Sequence, residues 1–410
     1  MYVQQIPWVA NYDENEVPPF VLPDPLKAVD GTPITSTAEW EANRAALLGQ
    51  FRKIMYGRRL PLPDKVTYKV LHEKKNAVDG TAVMRQIELE FSMNNGRSHK
   101  AVMLLFIPSG ANGEKPVPVF TGLTFHGNHV ISDDPDIIVT GVTGEEFRSF
   151  DRTPGAQTRR FPLKEFMERN FALAICSYHD FFPDAYAGWK KSILPLFLSD
   201  DEFDPRPEDI SAISVWAWGL SRMLDCLETV PEIDASKAAV FGHSRLGKTA
   251  LWAGAEDTRF KLVCVNDSGC GGAAPNRRLY GETLFCMCRQ KEDGFGHYWF
   301  THTMYKDCEA PEKLPIDQHQ LIALIAPRAV AVHSATEDQW ADPRGEYMSL
   351  YNASPVYALY GKEVLTSAEP PAPEVPVGTD MSYYLREGKH DMVVSDWRCY
   401  MDAFDHALKG

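Results

Sequence analysis

Apolar residues fall in two rhythms along this chain, and the change from one to the other marks its architecture. Between residues 66 and 110, three β-rich runs, VTYKVLHEKK, AVMRQIELEFS and AVMLLFIPSG, are joined by polar turns such as NAVDG and NNGRS, which predicts an antiparallel entry to a sheet. Beyond residue 116 short apolar runs alternate with amphipathic stretches: VPVFTGLTF, PLKEFMERN, ALAICSY, ISAISVWAWGLSRMLDCLET, AAVF, LVCVND and RAVAVHSA, with a last helix near residues 394–408. Strand and helix in alternation imply a mostly parallel central sheet with helices on both faces. Ahead of the strands, EWEANRAALLGQFRKIMYG carries a helical stripe. Ser36 or Thr37 can cap it, Glu39 and Glu41 suit its positive end, and Gly57 stops it. Residues 1–35, rich in Pro, Asp and Asn, read as an extended arm packed on a single domain of residues 36–410, and the Pro-rich stretch 367–378 reads as a loop.

Composition narrows the function. With 410 residues, 44% of them apolar, the chain can bury a large core, and 42 basic against 56 acidic residues give a net charge of −14. That sign argues against nucleic acid or an anionic membrane as a partner. The first twenty residues lack a basic start followed by an apolar core, and no run of about 18 apolar residues occurs, so the expectation is a soluble protein, cytoplasmic as given or secreted if a signal has been removed. Eight cysteines without a C-x-x-C pair read as reduced core thiols, and His297 and His302, five apart, do not share a helical face, so no metal is expected.

Ligands of such sheets bind at the carboxyl ends of the strands. There the sequence sets His126-Gly127-Asn128, Tyr178-His179-Asp180, Gly242-His243-Ser244, Asn266-Asp267-Ser268 and Glu337-Asp338. AAVFGHSRLGKTALWAGAE runs from an apolar strand through a sharp turn into a helix, with Ser244 at the break, which is the pattern of a nucleophile elbow. The same eight residues, 242–249, also fit the phosphate-loop pattern G-x-x-x-x-G-K-[ST], with Asp267 where a magnesium carboxylate would stand.

Order along the chain favours the hydrolase, because the acid candidates Asp267 and Asp338 and then His390, in LREGKHDMVVSDW, follow Ser244. His390 would take the Ser244 proton and pass it to the leaving alcohol, with a carboxylate fixing its tautomer. The backbone N–H of Arg245 is the favoured oxyanion donor and its guanidinium can assist. Gly127 offers flexible backbone for a second donor, while Asn128 either joins in or pins the loop. Lys248, one turn after the serine, stands where a substrate oxygen can meet it.

These residues carry a specific resemblance to the glucuronoyl esterases, carbohydrate esterase family 15, whose elbow reads G-C/H-S-R-x-G-K; GHSRLGK matches it, as do FHGNH, SYHDFFPD, SVWAWGLSRMLD, NDSGCGGAAPNRR with YGET, ATEDQWADPRGE and GKHDMVVSDW. The resemblance implies an α/β-hydrolase fold and a cofactor-free serine esterase acting on esters of (4-O-methyl-)glucuronic acid in lignin–xylan cross-links. It implies Ser244 as nucleophile, His390 as base, Arg245 at the oxyanion hole, and Lys248, Glu282, Gln290 and Trp340 on the uronate sugar. The family often has a glutamate where this chain has Asp267, a methylene shorter; reach favours Asp338 as partner of His390, with Asp267 contributing. His243 replaces the cysteine of fungal members, so the disulfide made there has no counterpart here. An acetyl-xylan or other carbohydrate esterase with the same triad is the alternative, and a monomer is expected.

Overall fold

The computed structural model describes residues 9–141, 151–199, 202, 208–289 and 298–409. Nine strands form one sheet in the order β1-β2-β3-β5-β4-β6-β7-β8-β9: β1 Lys65–Ala77, β2 Ala82–Ser92, β3 Ser98–Pro108, β4 Val117–Thr124, β5 Ala172–Ser177, β6 Ile233–His243, β7 Phe260–Asn266, β8 Ala329–Ala335 and β9 Met381–Arg386. The first three pair antiparallel, and β3 meets β5 antiparallel. From β5 to β9 every pairing is parallel. This is the α/β-hydrolase arrangement with an N-terminal antiparallel extension.

Nine α-helices are described: α1 Thr37–Phe51, α2 Leu163–Glu168, α3 Ala212–Leu227, α4 Arg245–Glu256, α5 Leu284–Arg289, α6 His302–Asp307, α7 Gln318–Ala323, α8 Pro343–Leu359 and α9 Val394–Ala407. Ser36 caps α1 in a full capping box with Glu39, and the helix loosens into a π-turn over Arg52–Tyr56 before Gly57. Strand β9 and helices α5, α6, α7 and α8 add five elements to those legible in the pattern. MSYYLR is a six-residue run behind a Pro-rich loop, and α8 contains Pro355, which as a sequence signal argues against a helix.

The helices cover both faces. One face buries α3, α4, α7 and α8 in a core that includes Trp216, Trp252, Leu321 and Leu350. The other takes α2 and α9, where Trp397 lies among Phe120, Phe166 and Phe241 and its indole N–H donates to Arg160 O at 2.6 Å. Burying an aromatic of this size contributes about 2–3 kcal/mol. Trp397 therefore fixes the start of α9, and with it the loop that carries His390. Among the described residues no helix is long and apolar enough to cross a membrane.

Candidate active site

Ser244 occupies the break between β6 and α4 with φ +57° and ψ −131°, a region costly for a residue with a Cβ. Only a glycine fits two positions earlier: a Cβ on Gly242 would lie 1.8 Å from Leu246 O. The Ser244 N–H donates to Asn266 O at 2.8 Å, which ties the elbow to the end of β7. Strain of this kind survives where the surroundings over-determine it, and here the sheet does so.

His390 lies in the loop between β9 and α9, half-exposed, with its Nδ1 2.6 Å from Asp338 Oδ2; the Asp338 side chain is buried. Asp267 is close by: ligand atoms of Asp267, Asp338 and His390 lie within 4.8 Å of one another. The two carboxyls differ in their bonding. Asp267 Oδ2 accepts the Asp391 N–H at 3.1 Å and faces Arg386 at 3.5 Å, so it grips the backbone of the histidine loop. Complete burial, then the charges of Asp338, Glu346 and Asp396, push the Asp267 carboxyl well above the ordinary range, against the pull of Arg386. The His243 ring lies 4.4 Å from the His390 ring, tilted by 40°, and bonds Asn266 Oδ1 through Nδ1 at 2.5 Å. Burial, then the His390 and Arg160 charges, hold His243 well below its usual value, so a neutral ring faces the base.

The histidine loop is clamped from inside. Arg386, at the end of β9, donates to the carbonyls of Glu387, Lys389 and Asp391 at 3.1, 2.7 and 2.9 Å, and its Nε reaches Asp396 at 3.1 Å. The Asp391 carboxylate pairs with Arg159 and, at 2.6 Å, with Arg160. These contacts set His390 on a rigid frame. Arg386 stands in the same LREGKHD segment as the histidine, and that sequence proximity is the one signal that could have singled it out.

Arg245 follows the serine and points its guanidinium at Asp184, over the ring of Trp299 at 4.6 Å and that of Phe125 at 5.8 Å. Asp184 also accepts from Tyr178 and Tyr298 at 2.8 Å and from Trp299 Nε1 at 2.9 Å. Burial works to raise this carboxyl, and the Arg245 charge with the three hydrogen bonds outweighs it, leaving Asp184 ionised and low. Sequence reasoning passed over Asp184, although it closes SYHDFFPD just beyond β5, where such sheets bind ligands.

One turn along α4, Lys248 Nζ donates to Ser268 O, Cys270 O and Glu282 Oε2 at 2.5, 2.6 and 2.6 Å. An ammonium has three N–H groups, and these three acceptors engage them, so Lys248 holds Glu282 in place. The phosphate-loop alternative needs that lysine on a phosphate, whereas here it bridges two carbonyls and the Glu282 carboxylate. Glu282 N–H donates to Trp340 O at 2.7 Å, and Trp340 is 37% exposed. Gln290 lies outside the described residues. Asn128 is a loop pin: its N–H donates to Thr140 Oγ1 at 2.9 Å and its Nδ2 to Val102 O at 2.7 Å, which takes that N–H out of an oxyanion hole. Nearby His126 is pushed down to about 4 by burial and by Arg152, Arg160 and Arg245, so it stands neutral.

Comparison with known proteins bears on the whole arrangement. Residues 205–361 match the family model described as glucuronyl esterase, fungi. A carbohydrate esterase, MZ0003, from an unknown prokaryotic organism is 39% identical over 98% of this chain and 92% of its own length. A 4-O-methyl-glucuronoyl methylesterase of Schizophyllum commune is 26% identical over 83% of this chain and 74% of that protein. Among solved structures, a glucuronoyl esterase from Solibacter usitatus superposes with a TM-score of 0.89 at 35% identity, covering 96% of this chain and 100% of the other. A promiscuous CE15 esterase from the marine bacterial metagenome gives 0.85 at 36%, covering 97% and 100%.

Proposed function

The chain belongs to the glucuronoyl esterases, carbohydrate esterase family 15, and from that premise we propose that it hydrolyses esters of glucuronic and 4-O-methyl-glucuronic acid, as in lignin–xylan cross-links, through Ser244, His390 and Asp338. The observation that carries this reading is the 2.6 Å contact of His390 Nδ1 with Asp338, beside an elbow serine held at φ +57°.

His390 with Nδ1–H on Asp338 has Nε2 as its acceptor, the tautomer a general base needs. In the proposed reaction Ser244 Oγ attacks the ester carbonyl while Nε2 takes its proton. The oxyanion forms against the Arg245 N–H, with the guanidinium charge held close by Asp184. The imidazolium, steadied by Asp338, returns the proton to the departing alcohol, and an acyl-enzyme remains. A water, deprotonated by the same nitrogen, then releases the uronic acid. Neutral His243 and His126 matter here, since a second positive ring would oppose formation of the imidazolium. The sugar is received by Glu282, whose second oxygen can take a hydroxyl proton, and by the apolar face of Trp340. Lys248 contributes through Glu282.

Hydrolysis of benzyl glucuronate beside an acetyl ester, by wild type and by Ser244→Ala and His390→Ala, tests the reading. Rapid cleavage of the uronate ester, lost in both variants, is the expected result. Cleavage of the acetyl ester alone would keep the nucleophile and overturn the substrate.

A further inference from the structure

Three pieces of chain meet beside Glu282, and one of them is the N-terminal arm. Asn11 O accepts the Gly281 N–H at 2.8 Å, and Asn11 Nδ2 donates to Leu279 O at 3.3 Å. Glu14 pairs with Arg278, which also holds Asp342 at 2.9 Å. From the other side the 339–341 segment closes on the same loop. Trp340 O takes the Glu282 N–H, and Gly281, at φ +56°, has no room for a side chain: a Cβ would lie 2.4 Å from Gln339 O and 2.5 Å from Trp340 O. Arm, sugar-side loop and Trp340 segment are stapled together by backbone, so their relative positions are fixed.

Tyr12 stands inside this staple. Its ring lies edge-on to Tyr280, centroids 6.1 Å apart at 87°, and Tyr280 OH donates to Gln339. Yet Tyr12 is 51% exposed, and its neighbours in the staple, Leu279 and Trp340, are each 37% exposed. Burial, then the charges of Asp338 and Cys286, raise the pKa of its phenol and so oppose its ionisation, in keeping with a position near Asp338. A rigidly held aromatic left in water next to a binding site marks ligand contact better than it marks packing. What such a surface suits is a pyranose, whose C–H face covers an aromatic ring while its hydroxyl rim meets polar groups.

We propose that Tyr12, on the arm that is stapled to the Glu282 loop and through it to the Trp340 segment, forms a subsite for the xylosyl residue that bears the uronate, so that the N-terminal arm is part of the substrate cleft. This rests on the glucuronate-ester reading above, because the subsite continues the uronate site at Glu282 and Trp340. The sugar side of the ester is the occupant, since the staple is built on the Glu282 loop and not on the His390 loop from which the alcohol departs.

The test compares kcat and KM on benzyl glucuronate with those on the benzyl ester of a glucuronoyl xylo-oligosaccharide, for wild type, Tyr12→Ala, Tyr12→Leu and Tyr12→Phe. Loss of the ring in the Ala and Leu variants should raise KM on the oligosaccharide ester roughly 5- to 20-fold, several times more than on benzyl glucuronate, with kcat little changed. The Phe variant should keep most of the wild-type preference. Equal losses on the two substrates, a Phe variant as poor as Ala, or no loss at all would each overturn the proposal while leaving the esterase reading intact. A wild type inactive on both esters would overturn the two together.

Discussion

Asp338 and Asp267 end neighbouring strands, β8 and β7, and both reach the loop of His390, but they do different work there. Asp338 meets the imidazole Nδ1 at 2.6 Å, whereas Asp267 meets the backbone N–H of Asp391 at 3.1 Å and the Arg386 guanidinium. The first faces the ring that becomes positive in the proposed reaction; the second is buried among Asp338, Glu346 and Asp396, whose charges favour its protonated form. Two like carboxyls within a few ångströms do not both ionise freely, so burial and neighbours divide the roles. Position after a strand is thus too coarse a guide to the triad acid; the partner atom and the local charge decide.

That contrast can be broken by isosteric changes. The largest effect is expected from Asp338→Asn, which keeps the shape and loses the charge and the tautomer control: kcat on benzyl glucuronate should fall by about 10³–10⁴. Arg386→Gln should come next. It removes donors from three loop carbonyls, and displacement of the base by an ångström costs on the order of 10² in kcat. It also leaves Asp396 and Asp267 without their cation, so thermal unfolding should move down as well. Asp267→Asn should lower kcat less than about tenfold, because an amide oxygen still accepts the Asp391 N–H and burial beside three carboxyls already disfavours the charge that the change removes. Should the Asn variants at 338 and 267 exchange their effects, the roles assigned to the two acids would be reversed.

A smaller, pH-linked effect probes the same buried surroundings through Glu346. It accepts from the Ser268 N–H and hydroxyl, the Gly269 N–H and the Ser334 hydroxyl at 2.6–3.0 Å. Burial nevertheless raises it from 4.5 to about 7. With a raised folded value, its stabilising contribution is complete below about 4.5 and is lost as pH rises through about 7. Glu346→Gln should therefore gain stability relative to wild type between pH 4.5 and 8, by about 2–4 kcal/mol. Unfolding temperatures across that range measure it, and a constant difference would show that Glu346 does not titrate there.

Much was legible in the sequence because it rests on local physics. The alternation of strand and helix, the capped α1 and the strand–turn–helix around Ser244 follow from periodicity, capping and the sterics of GHSRLGK, each of which acts within a few residues. The order Ser244, acid, His390 was readable too, since the strand ends of such a sheet converge on one edge. What the chain's own pattern did not contain was the division of labour among charged groups. Lys248, expected on the sugar, is seen donating to two carbonyls and to Glu282, and Asp184 and Arg386 gained importance only when folding set them against Arg245 and the histidine loop. The Lys248 and Arg245 bonds join residues 20 to 61 positions apart, and ionisation depends on burial and neighbours in space. Local sequence encodes neither: it favoured Asp338 by reach alone, and only the tertiary structure set one carboxyl on the imidazole and the other on the loop backbone.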